Sequence, residues 1–417
     1  MKYKYLLVLF VILSACQKPT AVPLNRAVAL LPLIRGDDYW KSQAQQAVVE
    51  ELFRERQTKR AEDIIAEIPG YRRALARLDG VEVLIRMGKF DEAGRQLESL
   101  GSLPREGSAQ QSWEIMGRLI SLGEAAGYGP QALAAVEKAG IAVPPMFQNL
   151  DKETFMTAGS EKSSVDLLGE EGRKVLAPAT GVSKKKKALE KSKGGSIQEA
   201  PEGGGKLQAR MKISSGGDAL LARAEGLLAR GEREKAKDLL QPSLQEAQGY
   251  RLANVGTRAE LLRLAWLAGL EEQVKAQLDE LVQLTRSQPA ALETSYGYWG
   301  KVVRLLATAF RQEQAIALAA EAPERIREAL PPFFQTQALA ELGTGLYQAG
   351  LKEQARALWR EALAVAEKVS NPRSQAWGAF QVCLAAVRSR ATFTPEELEQ
   401  MGRIEKALPE AYARIGQ

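Results

Sequence analysis

The chain has 417 residues, 45% of them hydrophobic and 26% charged, which is ordinary globular composition with enough apolar material for a sizeable core. It contains no histidine and only two cysteines, so the commonest general base and the commonest zinc ligand are missing and no cysteine-rich metal site can form. The formal net charge of +6 is carried largely by one internal stretch, so it says little about the folded parts.

The first residues, Met1-Lys2-Tyr3-Lys4-Tyr5, place positive charge ahead of an apolar run from Leu6 to Ala15. That run is too short to cross a hydrocarbon layer of roughly 30 Å and has the layout of a signal peptide over 1–15. It ends in Leu13-Ser14-Ala15-Cys16, which resembles a bacterial lipobox; the resemblance implies that the Cys16 thiol is acylated and becomes the mature N-terminus. Acyl chains worth ~0.8 kcal/mol per buried methylene would then hold the protein on a membrane. Gln17 stands where the lipobox pattern associates aspartate with inner-membrane retention, so the resemblance implies an outer-membrane lipoprotein facing the periplasm. With Cys16 modified, Cys383 has no disulfide partner in the chain, and its apolar helical surroundings predict a buried, inert thiol.

Residues 16–37, with Pro19, Pro23 and Pro32, read as a lipidated tether. From residue 38 helical periodicity is sustained: Tyr39 to Glu55, Arg60 to Ile68, Tyr71 to Met87, Asp91 to Leu100, Gln110 to Ala126 and Pro130 to Ala139. Three helical hairpins follow for an N-terminal domain over 38–145, ended by Pro144-Pro145. Residues 146–217 lose long apolar periodicity and gain Gly, Ser and Lys, which predicts a disordered basic linker. Its Lys184-Lys185-Lys186-Lys187 run reads as a solvated charge run that keeps the linker open, with contact to an acidic surface as the alternative. No aromatic residues interleave with these lysines, so nucleic-acid binding is not expected.

A second array of about five hairpins is predicted over 218–417. Its turns recur: Arg230-Gly231-Glu232-Arg233-Glu234-Lys235-Ala236, Ala268-Gly269-Leu270-Glu271-Glu272-Gln273-Val274, Ala309-Phe310-Arg311-Gln312-Glu313-Gln314-Ala315 and Ala349-Gly350-Leu351-Lys352-Glu353-Gln354-Ala355. The spacing is about forty residues, matched in the first array by the turns at Gly88 and Gly127. Glycine can take the left-handed conformation that caps a helix C-terminus, and the acidic residues behind it suit the positive end of the next helix. The last helix opens on Thr394-Pro395-Glu396-Glu397, an N-cap, a first-turn proline and a capping-box glutamate. The predicted fold is all-α: two arrays of stacked antiparallel helix pairs joined by the linker.

These hairpins resemble tetratricopeptide-like repeats, with Leu342-Gly343, Ala355, Trp359 and Ala362 at the family's large and small positions and Trp299 at its early tryptophan. The period is longer than the family's thirty-four residues. The resemblance implies an α-solenoid whose first helices line a concave, partner-binding face. Transferred through Val274, Ala315 and Ala355, the facing positions are Arg263 and Trp266, Arg304 and Thr308, and Tyr347 and Gln348.

No phosphate-binding loop or nucleophile elbow occurs, and the Ser-x-x-Lys match at Ser183 to Lys186 lies inside the lysine run, so neither a cofactor nor a metal is expected. The reading is a non-enzymatic, lipid-anchored envelope scaffold that binds an unidentified protein or peptide through the concave face. The alternatives are a carboxylate-dependent enzyme acting on cell-wall glycan, which would need a pocket with two facing carboxylates of raised pKa, and a passive envelope spacer.

Overall fold

The computed structural model describes residues 21–35, 38–100, 109–138, 218–249, 255–287 and 293–415. Cys16 and the expected linker at 146–217 lie outside the described residues. The described elements are all helical. After α1 (Ala21–Leu30) come the hairpins α2/α3 (Asp38–Arg54, Thr58–Glu67), α4/α5 (Gly70–Arg86, Phe90–Ser99) and α6/α7 (Ala109–Ala126, Gly129–Lys138). The second series is α8/α9 (218–229, Arg233–Gly249), α10/α11 (Val255–Ala268, Glu271–Ser287) and α12/α13 (Glu293–Thr308, Gln312–Ala329), followed by α14/α15 (Pro332–Gln348, Lys352–Lys368) and α16/α17 (Pro372–Arg388, Pro395–Ile415).

One local device makes all eight turns. The residue that ends each first helix is left-handed: Gly88, Gly127, Gly231, Gly269 and Gly350 have φ between 73° and 94°, and Arg56, Phe310 and Arg390 take the same role at 60°, 59° and 51°. The N–H of the following residue then reaches back five residues to a helix carbonyl at 2.7–3.0 Å, as in Leu351 to Leu346 and Arg311 to Leu306, which satisfies groups the helix end would leave bare. Five residues after the left-handed one, a small side chain lets the second helix close on the first. Ala61, Ala93, Ala132, Ala236, Val274, Ala315 and Ala355 are all completely buried there. The eighth turn is longer and ends in a true capping box: Thr394 N–H donates to Glu397 Oε2 at 2.8 Å and Glu397 N–H to Thr394 Oγ1 at 3.2 Å.

Successive first helices pack side by side: α10 on α12, α12 on α14, and α14 on α16. Backbone meets backbone at Gly300 and Gly345, where a Cβ on Gly345 would lie 2.3 Å from the Gly300 Cα. The same ordering holds for α2 on α4 and α4 on α6. Gly343 leaves room for Trp359, whose indole donates to the Ala340 carbonyl at 3.4 Å, so these two expected large and small positions do meet.

Two features differ from the sequence reading. The described part of the expected tether is not free: α1 folds onto α16 and buries Leu24, Ala27 and Leu30 there, its prolines falling at the helix start and in the 3-10 turn Leu31–Leu33. Nor do the two series keep separate cores. One apolar cluster joins Leu24, Val48, Leu52 and Val83 with residues from Leu221 to Leu408, and a smaller one draws Ala219 and Ala222 of α8 into α4–α7. Helix α8 sits so close to α4 that a Cβ on Gly226 would lie 2.1 Å from the Ile85 carbonyl oxygen. Because α16 also packs on α2, the first helices form a closed circuit.

Candidate functional site on the inner face

The circuit places the charged side chains of the first helices opposite one another. Glu51 on α2 is fully buried between Arg54 and Arg388, whose Nε lies 3.0 Å from Glu51 Oε1. Beside it, Glu50 lies 3.9 Å from the same Arg388. Asp79 on α4 pairs with Arg118 on α6 at 2.8 Å, Arg118 with Glu82 at 3.1 Å, and Glu82 with Arg86 at 2.8 Å. Arg86 reaches Glu225 on α8 at 2.9 Å, Glu225 reaches Arg263 on α10 at 3.6 Å, Arg263 holds Glu260 at 2.5 Å, and Glu260 meets Arg304 on α12 at 3.9 Å. The signs alternate along this belt except where Asp79 lies near Glu50.

Burial and charge set the protonation states. Burial alone would raise Glu260, but Arg263 and then Arg304 hold its carboxyl at about 2. Glu51 is likewise below its usual range, because Arg54 and Arg388 outweigh its burial. Glu50 goes the other way: protein surrounds it and the Asp79 carboxylate repels its charge, so it is pushed up to about 7 although Arg388 opposes the shift. About a third of the Glu50 side chain still touches solvent, because it faces a cavity rather than packed atoms. That cavity, ≈ 370 Å³, is lined by Gln43, Gln46, Glu50, Asp79, Arg118 and Arg388 among others. Burial also raises Asp79, with Arg118 opposing. The pocket therefore holds two carboxylates of raised pKa, Asp79 already paired with Arg118 and Glu50 beside Arg388.

The residues expected on the concave face take different places. Arg263 and Arg304 do share one surface, both turned to Glu260, but Arg263 is only 5% exposed. Trp266 is half-buried at the end of α10, with the Phe310 ring 6.5 Å away and the Lys275 ammonium 5.9 Å from its ring. Thr308 bonds back to the Arg304 carbonyl at 2.8 Å. The Tyr347 ring stacks on Trp359 at 5.4 Å, and Gln348 donates to the Arg388 carbonyl at 3.1 Å. The last four lie at the turn end of their helices, and none of them makes one of the belt's ion pairs.

Sequence reasoning missed Glu50, Glu51, Asp79, Arg118 and Arg388. A faint signal existed, since Glu50-Glu51 and Asp79 interrupt apolar stretches of first helices, but their partners lie far away in sequence. Among the described residues no group of three or more His, Cys, Asp or Glu is arranged to hold a metal, and no helix is long and apolar enough to cross a membrane. Compared with protein-family models, curated proteins and solved structures, the chain matches none.

Proposed function

We propose that the protein is a lipid-anchored envelope scaffold, tethered through acylated Cys16, whose inner face binds a polar, charged segment of a protein partner. The observation that carries this reading is the belt itself: alternating charges from consecutive first helices, of which Glu50, Arg86, Arg118, Glu225, Arg304 and Arg388 remain 23–34% exposed. A bound segment can exchange ion pairs with such a lining without stranding a charge. An apolar peptide gains nothing there, so the expected ligand carries both signs. The test is capture from crosslinked envelopes followed by titration of the recovered segment. Arg304→Ala with Glu225→Gln should weaken binding while leaving helicity intact, and unchanged affinity would refute the inner face as the site.

A second reading is supported by the paired carboxylates: Glu50, held near neutrality beside Asp79, has the environment of a general acid in glycan hydrolysis. Glu50→Gln separates the two. It would abolish turnover of a cell-wall glycan if this reading holds, whereas a scaffold shows no such turnover in the wild type either.

A further inference from the structure

A second concavity lies away from the belt, where the first hairpin meets the last two. It is a cleft of ≈ 150 Å³ lined by Trp40, Phe333, Arg373, Ser374 and Trp377, all in the first two turns of α2, α14 and α16. The rings are set edge to face: Trp40 lies 5.5 Å from Phe333 at 85° and 4.9 Å from Trp377 at 71°. Cavities of roughly this volume accept a six-membered ring.

Each polar side chain around these rings offers a donor, and none of those donors has a partner among the described residues. Trp377 is 6% exposed and its buried Nε1–H has no hydrogen-bond partner. The side chains of Arg373 and Ser374 have no partner among the described residues, although their backbone N–H groups are capped by Asn371 Oδ1 at 3.0 and 3.3 Å. None of the five lining residues is acidic. The first turns of α14 and α16 are free of acidic residues as well, so the positive ends of both helix dipoles are uncompensated by carboxylates. An aromatic cage for a cation would not carry an unpaired arginine, and a purely apolar site would not carry three idle donors.

We propose that this cleft binds a small carboxylate with a ring-sized apolar body, the ring lying in the cleft against Trp40, Phe333 and Trp377 and the carboxylate meeting the Arg373 guanidinium and the Ser374 hydroxyl. This site is independent of the inner belt and of the function proposed for it. It draws on both ends of the chain, so its ligand also bridges the first hairpin to the last.

The test uses the full chain with N-acetyl-phenylalanine as probe, followed by tryptophan fluorescence and calorimetry, against N-acetyl-phenylalanine amide, a hexapeptide ending in free phenylalanine, and neutral N-acetylglucosamine disaccharide. Saturable binding of the acid, with the amide weaker by about tenfold or more, is expected from loss of a charge-assisted pair. Arg373→Ala should lose the same factor and no longer distinguish acid from amide. Since Arg373 is half-exposed, this variant keeps the fold, which an unchanged melting temperature checks. Tighter binding of the hexapeptide than of the free acid would identify a chain terminus as the source, and the reverse would identify a free acid. Equal binding of acid and amide, Arg373-independent binding, or binding of the disaccharide alone would overturn the proposal.

Discussion

The joint between α12 and α14 and the joint between the two ends of the chain solve the same packing problem by different means. At the first, Gly300 and Gly345 let backbones touch, and the surrounding Val302, Leu305, Leu342 and Leu346 are buried apolar residues. At the second, α1 lays Leu24, Ala27 and Leu30 on α16, but polar contacts join the two ends: Arg26 to Glu405 at 2.7 Å, Arg388 to Glu51 on α2 at 3.0 Å, and the Tyr412 hydroxyl donating to the Leu33 carbonyl. Neighbouring repeats are close in sequence and can rely on non-directional apolar contact. Ends separated by hundreds of residues gain register from charged groups that tolerate few alternatives.

If that contrast is right, the largest effect comes from the stack. Gly345→Val places a side chain where only the Gly300 backbone can yield, and should cost more than ~3 kcal/mol or unfold the second series, read by urea denaturation with circular dichroism. The next effect belongs to the seam. Arg388→Ala leaves the fully buried Glu51 with Arg54 alone and should cost about 3 kcal/mol. A double variant with Glu51→Gln should recover part of that loss, whereas a cost no greater than that of an exposed arginine would remove the electrostatic account of the seam.

Acid should act more gradually. Glu51 and Glu260 are depressed in the fold, so the stability they contribute is present above the unfolded carboxylate range near 4.5 and is lost as pH falls below it, down to about 2 for Glu260. Glu50 has the opposite sign: raised to about 7, it is neutral in both states below pH 4.5 and increasingly costly to the fold as pH rises toward 7. Glu50→Gln should therefore leave stability unchanged at pH 3 and raise it at pH 8 by about 1 kcal/mol, discounted because the group touches solvent. Equal melting shifts at both pH values would show that Glu50 titrates normally.

Much of the stack was legible because each turn carries its own chemistry. The Gly-Glu-Ala pattern placed the hairpins, and Thr394 to Glu397 announced the reciprocal cap found there. The turns at Arg56 and Arg390 could be placed only by the gap between helical patterns, since arginine gives no sign of a left-handed backbone. Arg263 and Arg304 were assigned to one surface from repeat register, yet Glu260, which holds both, lacked any signal of its own. Ring closure was illegible for a related reason: Arg26 with Glu405 and Glu51 with Arg388 are single pairs without periodicity. The prolines around α1 suggested a tether because local sequence does not reveal that Leu24 and Leu30 find a helix near the other end of the chain to cover them.

The central claim, that the array closes on itself through α1 and α2 against α16 and α17, is tested most directly by linking its ends. Arg26→Cys with Glu405→Cys replaces a pair now 2.7 Å apart, in a Cys16→Ser background where the remaining thiol, Cys383, is buried. A short bismaleimide should join the two within one chain at low protein concentration, giving a faster-migrating monomer whose linked peptides are identified by mass spectrometry. Failure to form that intramolecular link, with both cysteines reactive toward a monofunctional maleimide, would contradict closure.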